Sequence, residues 1–229
     1  EMDWINNIRR KNNQKPLRVL YNDKDVDKCI ERFVPIKYDV ETEIFDGFKV
    51  TYRDAGHILG SAGIVMEVDD KGIHKRIGYS GDIGVAGKPI LRDPNLLRNL
   101  DALIMECTYG NRQHSPYENV EEQLAETILD VTSKGGKLII PAFAVGRTQL
   151  IVYILHKLYN QGRIPDIPIF VDSPLSFKAT DIYRNYPHIM DRETTRIFLE
   201  KGEDPFVFPR LKYVESVEES KSLLTLNYP

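Results

Sequence analysis

At 229 residues, with 41% hydrophobic and 28% charged residues and a formal net charge of −3, the sequence has the balance of a globular chain of one large or two small domains. No apolar run approaches the ~18 residues a membrane-spanning helix needs. The start, Glu1-Met2-Asp3-Trp4, lacks the basic-then-apolar order of a signal peptide, so a cytoplasmic protein with no membrane partner is expected. The slight negative charge excludes a surface coated in basic residues, yet leaves room for a local basic groove.

In chain order, residues 1–16 are polar and carry a basic run, Arg9-Arg10-Lys11, read as a solvated helix end rather than a nucleic-acid patch. Asn22 or Asp23 can cap a short helix through Phe33, which Pro35 closes. Strand signals follow. Gly47 to Arg53 alternates apolar and polar residues, Ile64 to Val68 is an apolar run before the turn Asp69-Asp70-Lys71-Gly72, and Arg76 to Ser80 makes a third strand. Together they predict an antiparallel meander.

The pattern changes near residue 101. Ala102-Leu103-Ile104-Met105 is fully apolar, and Val120, Leu124, Ile128 and Val131 recur at helical spacing until Gly135-Gly136 stops them. Lys137-Leu138-Ile139-Ile140 reads as a buried strand, Thr148–Tyr159 as a helix, and Ile167 to Val171 as another strand. Strand alternating with helix implies a parallel sheet covered on both faces. The chain is thus expected to be α/β, with one architecture over 1–108 and another over 109–229. Cys29 and Cys107 belong to no CxxC pair, so neither a disulfide nor a thiolate zinc site is expected.

Chemistry-bearing residues gather at strand ends. His57, Asp82 and Glu106 follow three successive strands at intervals of 25 and 24 residues, each among glycines or other small residues that let the backbone turn sharply. Imidazole and carboxylate suit zinc, and a bridging carboxylate can hold two metals about 3.5–4 Å apart. Each residue alone has an ordinary explanation: a loop histidine, a turn aspartate, a loop-capping glutamate.

Longer strings add weight. "DAGHILGSAGIVMEV" (54–68), "YSGDIG" (79–84) and "ECTYGNR" (106–112) resemble metallo-β-lactamase motifs and the first β-CASP motif. "GGKLIIPAFAVGRTQ" (135–149) and "IPIFVDSPLSFKATDIYRNYP" (167–187) resemble signature segments of the β-CASP domain, in order. The chain is therefore identified as a member of the β-CASP branch of the metallo-β-lactamase superfamily. The resemblance implies a four-layer αβ/βα lactamase domain, here part of it over 1–108, with an inserted β-CASP domain over 109–229. It implies His57 as a ligand of one zinc, Asp82 as a bridge between two and as a catalytic group, and Glu106 in the acidic role that orients a neighbour. Two zinc ions would polarise the phosphoryl group and lower the pKa of a shared water toward ~7.

The family's HxHxDH motif and two later histidines do not occur in this sequence. The chain is accordingly expected to be an internal segment of a longer enzyme, binding zinc weakly or not at all by itself and inactive alone. His74, His114, His156 and His188 are read as surface or packing residues.

Substrate contacts are expected at two strand-to-helix junctions. The loop 143–148 would offer helix N-terminal amides to an anion, with Arg147 adding a planar donor fork and Thr148 a hydroxyl. Ser173, ahead of Pro174, is a phosphate contact or an ordinary helix cap in equal measure. The reading favoured on these strings is an RNA nuclease acting on single-stranded RNA, with a homodimer as the candidate assembly. A DNA-processing β-CASP nuclease and a catalytically silent RNA-binding scaffold are the alternatives.

Overall fold

A computed structural model describes residues 2–112 and 119–226. The chain forms two compact units, 1–37 and 38–229.

In the first unit, α1 (Met2–Lys11) carries Arg9, Arg10 and Lys11 in its last turn, where cations complement the helix dipole. The buried Asn6 amide braces the returning chain, donating to the Leu17 carbonyl and accepting from the Leu17 amide at 2.7 Å. Asn22 caps α2 (Asp23–Ile30) by accepting from the Lys24 amide, and the Asp25 carboxylate answers by accepting from the Asn22 amide. The helix stops three residues short of the expected Phe33.

The second unit begins with a five-stranded sheet: β1 (Thr42–Phe45), β2 (Phe48–Asp54), β3 (Ala62–Asp70), β4 (Ile73–Tyr79) and β5 (Ala102–Ile104), in that spatial order. β1 to β4 are antiparallel and β5 joins β4 in parallel, so the expected meander is present. Opposite residues share a face: Gly78 lies across from Val65, and Gly63 sits two residues along from it. These glycines make room for a covering layer. A Cβ on Gly78 would lie 2.5 Å from Leu100 Cδ1, and one on Gly63 would meet Leu97 at 3.3 Å.

Beyond the sheet, α3 (Val120–Ser133) ends at Gly135, whose φ of 68° is left-handed. α4 (Arg147–Asn160) buries Val152, Tyr153, Ile154, Leu155 and Leu158, and is the centre of the core. Around it pack Ala125 and Ile128 of α3, Ile90, Val171, Met190, Phe206, Phe208, and Tyr183 of α5 (Pro174–Asn185). Pro174 occupies the first turn of α5 as the sequence suggested. β6 (Ile169–Asp172) pairs in parallel with β7 (Leu211–Val214), with α6 (Arg192–Leu199) between them in sequence and α7 (Val217–Leu223) after. His156 is a packing residue, stacked on Phe208 at 5.3 Å with Nδ1 3.0 Å from the Pro205 carbonyl. His114 lies outside the described residues.

The structure corrects the sequence reading here: the run at Ala102–Ile104, read as the first strand of the strand–helix alternation, joins the first sheet beside β4 instead. The parallel sheet of this region has two strands among the described residues, and 137–140 is not one of them. Leu138, Ile139 and Ile140 are 37, 85 and 39% exposed. They line a cleft of about 860 Å³ together with β6. An apolar run with no adjacent strand to share its hydrogen bonds is not built into a sheet.

Candidate active site

Three turns that follow strand ends of the sheet are tied into one cluster. After β2, the buried Asp54 carboxylate accepts from the Gly56 amide at 2.9 Å. Gly56 takes φ 61°, and a Cβ there would lie 2.6 Å from the Arg92 carbonyl oxygen, so the turn requires glycine. It delivers His57 to an exposed position, where Ser61 Oγ accepts from the amides of His57 and Ile58. After β4, Ser80 is buried; its hydroxyl donates to the Gly81 carbonyl at 2.7 Å and accepts from the Glu106 amide at 3.0 Å. Asp82 emerges from this turn exposed.

The turns interlock through their backbones. The Gly84 amide donates to the Ala55 carbonyl at 2.8 Å, and a Cβ on Gly84 would sit 1.8 Å from the Gly56 carbonyl oxygen. Glu106 completes the cluster: Oε1 accepts from the Ile83 amide at 2.6 Å, and Oε2 accepts from the Thr108 hydroxyl at 2.8 Å. These donors hold its carboxyl below the usual glutamate range, the Ile83 amide contributing most, then Thr108, with a smaller pull from the charge of His57. Glu106 therefore fixes the turn that carries Asp82, next to Ile83, and stands near His57.

The donor set falls short of a metal cage. Among the described residues no group of three or more His, Cys, Asp or Glu side chains is placed to hold a metal ion. Glu106 is already engaged by two donors, which leaves His57 and Asp82, whereas a catalytic zinc takes three protein ligands plus water.

The loop ahead of α4 meets the same cluster. Gly146, at φ 82°, passes Ile58 so closely that a Cβ would contact Cγ2 at 3.0 Å, and the Leu59 amide donates to the Tyr183 hydroxyl. Arg147 is exposed at this edge. The expected anion cradle is not open, however. The Gly146 amide donates to Gln149 Oε1 at 2.7 Å, the Arg147 amide to the Val145 carbonyl, and the Thr148 amide to the Phe143 carbonyl. Thr148 is buried, and its hydroxyl also donates to Phe143, so it closes the loop rather than facing a ligand. Ser173 caps α5 by accepting from the Ser176 amide at 3.1 Å, the ordinary reading of that residue.

Gln149, which the sequence reading passed over, organises this loop. Fully buried, it accepts from Gly146 and donates to the Ala144 carbonyl at 3.1 Å and to Thr180 Oγ1 at 3.0 Å. A glutamine three residues after a helix-opening glycine was the available signal. Ser80, Ser61 and Thr108 were likewise invisible in sequence, because their roles depend on which turn each one faces.

Comparison with known proteins fits this geometry. The family profile of the Beta-Casp domain matches residues 148–229. The ribonuclease TTHA0252 of Thermus thermophilus is 34% identical over 204 residues, covering 89% of this chain and 45% of its own length. The chain belongs to the β-CASP family of the metallo-β-lactamase superfamily. Other relatives are the transcription termination factor FttA of Methanocaldococcus jannaschii, 30% identical over all of this chain and 35% of its own length, and the endoribonuclease YSH1 of Kluyveromyces lactis, 30% identical over 87% of this chain and 26% of its own. The chain spans about a third to a half of the length of the first curated relatives it matches.

Proposed function

We propose that the whole protein is a metal-dependent phosphodiester hydrolase acting on single-stranded RNA in the cytoplasm. One observation carries the reading: the turns bearing His57, Asp82 and Glu106 are bonded into a single cluster, and the Arg147 loop abuts it through Ile58 and Gly146. Relatives named as a ribonuclease and an endoribonuclease support RNA as the substrate class. On this reading residues 1–108 belong to a lactamase domain and 109–229 to the β-CASP domain, with the cleft at their junction.

His57 and Asp82 would supply two metal donors there, and the remaining ligands would come from outside these residues. Bound zinc ions would supply phosphoryl polarisation and an acidified water. The chain's own contribution is placement. Glu106 holds Asp82's turn through Ile83, Ser61 holds His57's backbone, and Arg147 offers a guanidinium to a phosphate at the edge.

The test is Asp82→Ala in the whole protein, with zinc content, cleavage of a labelled RNA and of the matching DNA, and RNA affinity measured together. Hydrolysis of RNA should fall by two or more orders of magnitude, zinc content should drop, and affinity should change little. A variant that keeps its zinc and its turnover refutes the metal role. Preferential cleavage of the DNA by the parent removes RNA from the reading.

A further inference from the structure

The turn that carries Asp82 is held at both ends by one residue. Glu106 meets it twice, its amide donating to the Ser80 hydroxyl at 3.0 Å and its Oε1 accepting from the Ile83 amide at 2.6 Å. Asp82 lies between those two points. Within the turn, Gly81 takes φ 56°, and a Cβ there would lie 3.1 Å from the Ala62 carbonyl oxygen. The main-chain end of Glu106 is firmly anchored, because Ser80 is buried and its own amide donates to the Ile104 carbonyl at 3.0 Å.

The carboxylate end needs more than Ile83. The last torsion of a glutamate is broad, so a carboxylate gripped at one oxygen can turn about that contact. Thr108 supplies the second grip: its hydroxyl donates to Oε2 at 2.8 Å, and a carboxylate bonded at both oxygens keeps one plane. A tight turn brings Thr108 back onto Glu106. The Gly110 amide donates to the Cys107 carbonyl at 3.3 Å, and a Cβ on Gly110 would lie 2.2 Å from Cys107 Sγ. The Arg112 amide then donates to the Tyr109 carbonyl at 3.2 Å, with its guanidinium 4.6 Å over the Tyr109 ring. Thr108 is exposed, so unlike Ser80 it can be altered without opening the core.

We propose that Thr108 is a positioning residue for the hydrolysis, acting through Glu106 on Asp82: its hydroxyl sets the plane of the Glu106 carboxylate, which delivers Oε1 to the Ile83 amide and fixes the direction in which Asp82 leaves its turn. The inference rests on reading the cluster of His57, Asp82 and Glu106 as hydrolytic, and it adds a neutral residue that touches neither metal nor substrate.

The experiment compares three variants of the whole protein. Thr108→Val keeps the shape and removes the donor, Thr108→Ser keeps the donor, and Thr127→Val alters an exposed threonine of α3 whose hydroxyl donates to the Gln123 carbonyl. With 15N-isoleucine labelling, hydrogen exchange at the Ile83 amide is followed by NMR, and kcat and KM for a labelled single-stranded RNA are measured on the same samples. Thr108→Val should speed exchange at Ile83 about 5-fold and leave Ile77 of β4 unchanged. It should lower kcat about 10-fold with KM within about twofold of the parent, because the substrate's own contacts are intact. Thr108→Ser should recover both, and Thr127→Val should change neither. Unchanged exchange at Ile83, a loss that Thr108→Ser shares in full, or a loss confined to KM would overturn the positioning role. So would a rise in exchange at Ile77 equal to that at Ile83, which marks a merely structural residue. Exchange at Ile83 that responds to Thr108→Val and is restored in Thr108→Ser, in a protein that cleaves no RNA, keeps the lock on the Asp82 turn and removes the hydrolase. Normal turnover in Thr108→Val despite faster exchange keeps the hydrolase and removes the positioning role.

Discussion

The meander of β2, β3 and β4 and the stretch from 120 to 214 are written in similar apolar runs, yet the first was readable as neighbouring antiparallel strands and the second was not. In the sheet, β2, β3 and β4 follow one another with only 55–61 and 71–72 between them, so each strand's partner is its neighbour in sequence. In the later stretch β6 pairs with β7 about forty residues downstream. A parallel ladder needs a crossover, and nothing local in Lys137-Leu138-Ile139-Ile140 says whether a partner will arrive. Apolar content reports the capacity to be a strand; the chain's path decides its use.

Matched truncations in the later region sharpen this contrast most. Leu158 and Ile139 would be given similar core roles by composition, but Leu158 is 0% exposed in the packing around α4 and Ile139 is 85% exposed. Leu158→Ala should cost about 2–5 kcal/mol through lost burial and a residual cavity, whereas Ile139→Ala should stay within about 0.5 kcal/mol. Urea unfolding of both variants checks this. Equal losses would mean that 137–140 is buried in solution and that the original strand assignment was correct.

The candidate site divides in the same way. His57, Asp82 and Glu106 were legible because the strands before them were, and strand ends are where turns gather functional side chains. Their supports were not legible. Gln149 reads as a polar helix residue, and Thr148 as an open hydroxyl, until the fold turns both inward. Gln149→Leu tests how much the Arg147 loop depends on that buried amide. It leaves the Gly146 amide and the Ala144 carbonyl without their partner, so stability should fall by about 1–3 kcal/mol. Hydrogen exchange at Gly146 should rise by more than at the amides of β3. Uniform exchange changes would show the residue to be a packing element rather than a loop anchor.

The smallest expected effect lies on the sheet side, at Asp54, where β2 passes into the His57 turn. Burial raises this carboxyl above the usual aspartate range, against the pull of the Gly56 amide and of Arg92, while the charge of Asp39 adds to the rise. The folded chain thus holds the Asp54 proton more tightly than the unfolded chain. The folded state binds more protons between the ordinary aspartate value and the raised one, so folding stability falls as pH rises through that window. Asp54→Asn retains the oxygen that accepts from Gly56 and removes the charge, so it should flatten that part of the pH–stability curve and leave the chain at least as stable as the parent at neutral pH. Urea midpoints measured from about pH 4 to pH 7 decide the matter. If the substitution instead destabilises the chain at pH 7, the ionised carboxylate supports the turn by attraction to Arg92, and the charge, not the hydrogen bond, is what holds His57 at the end of its strand.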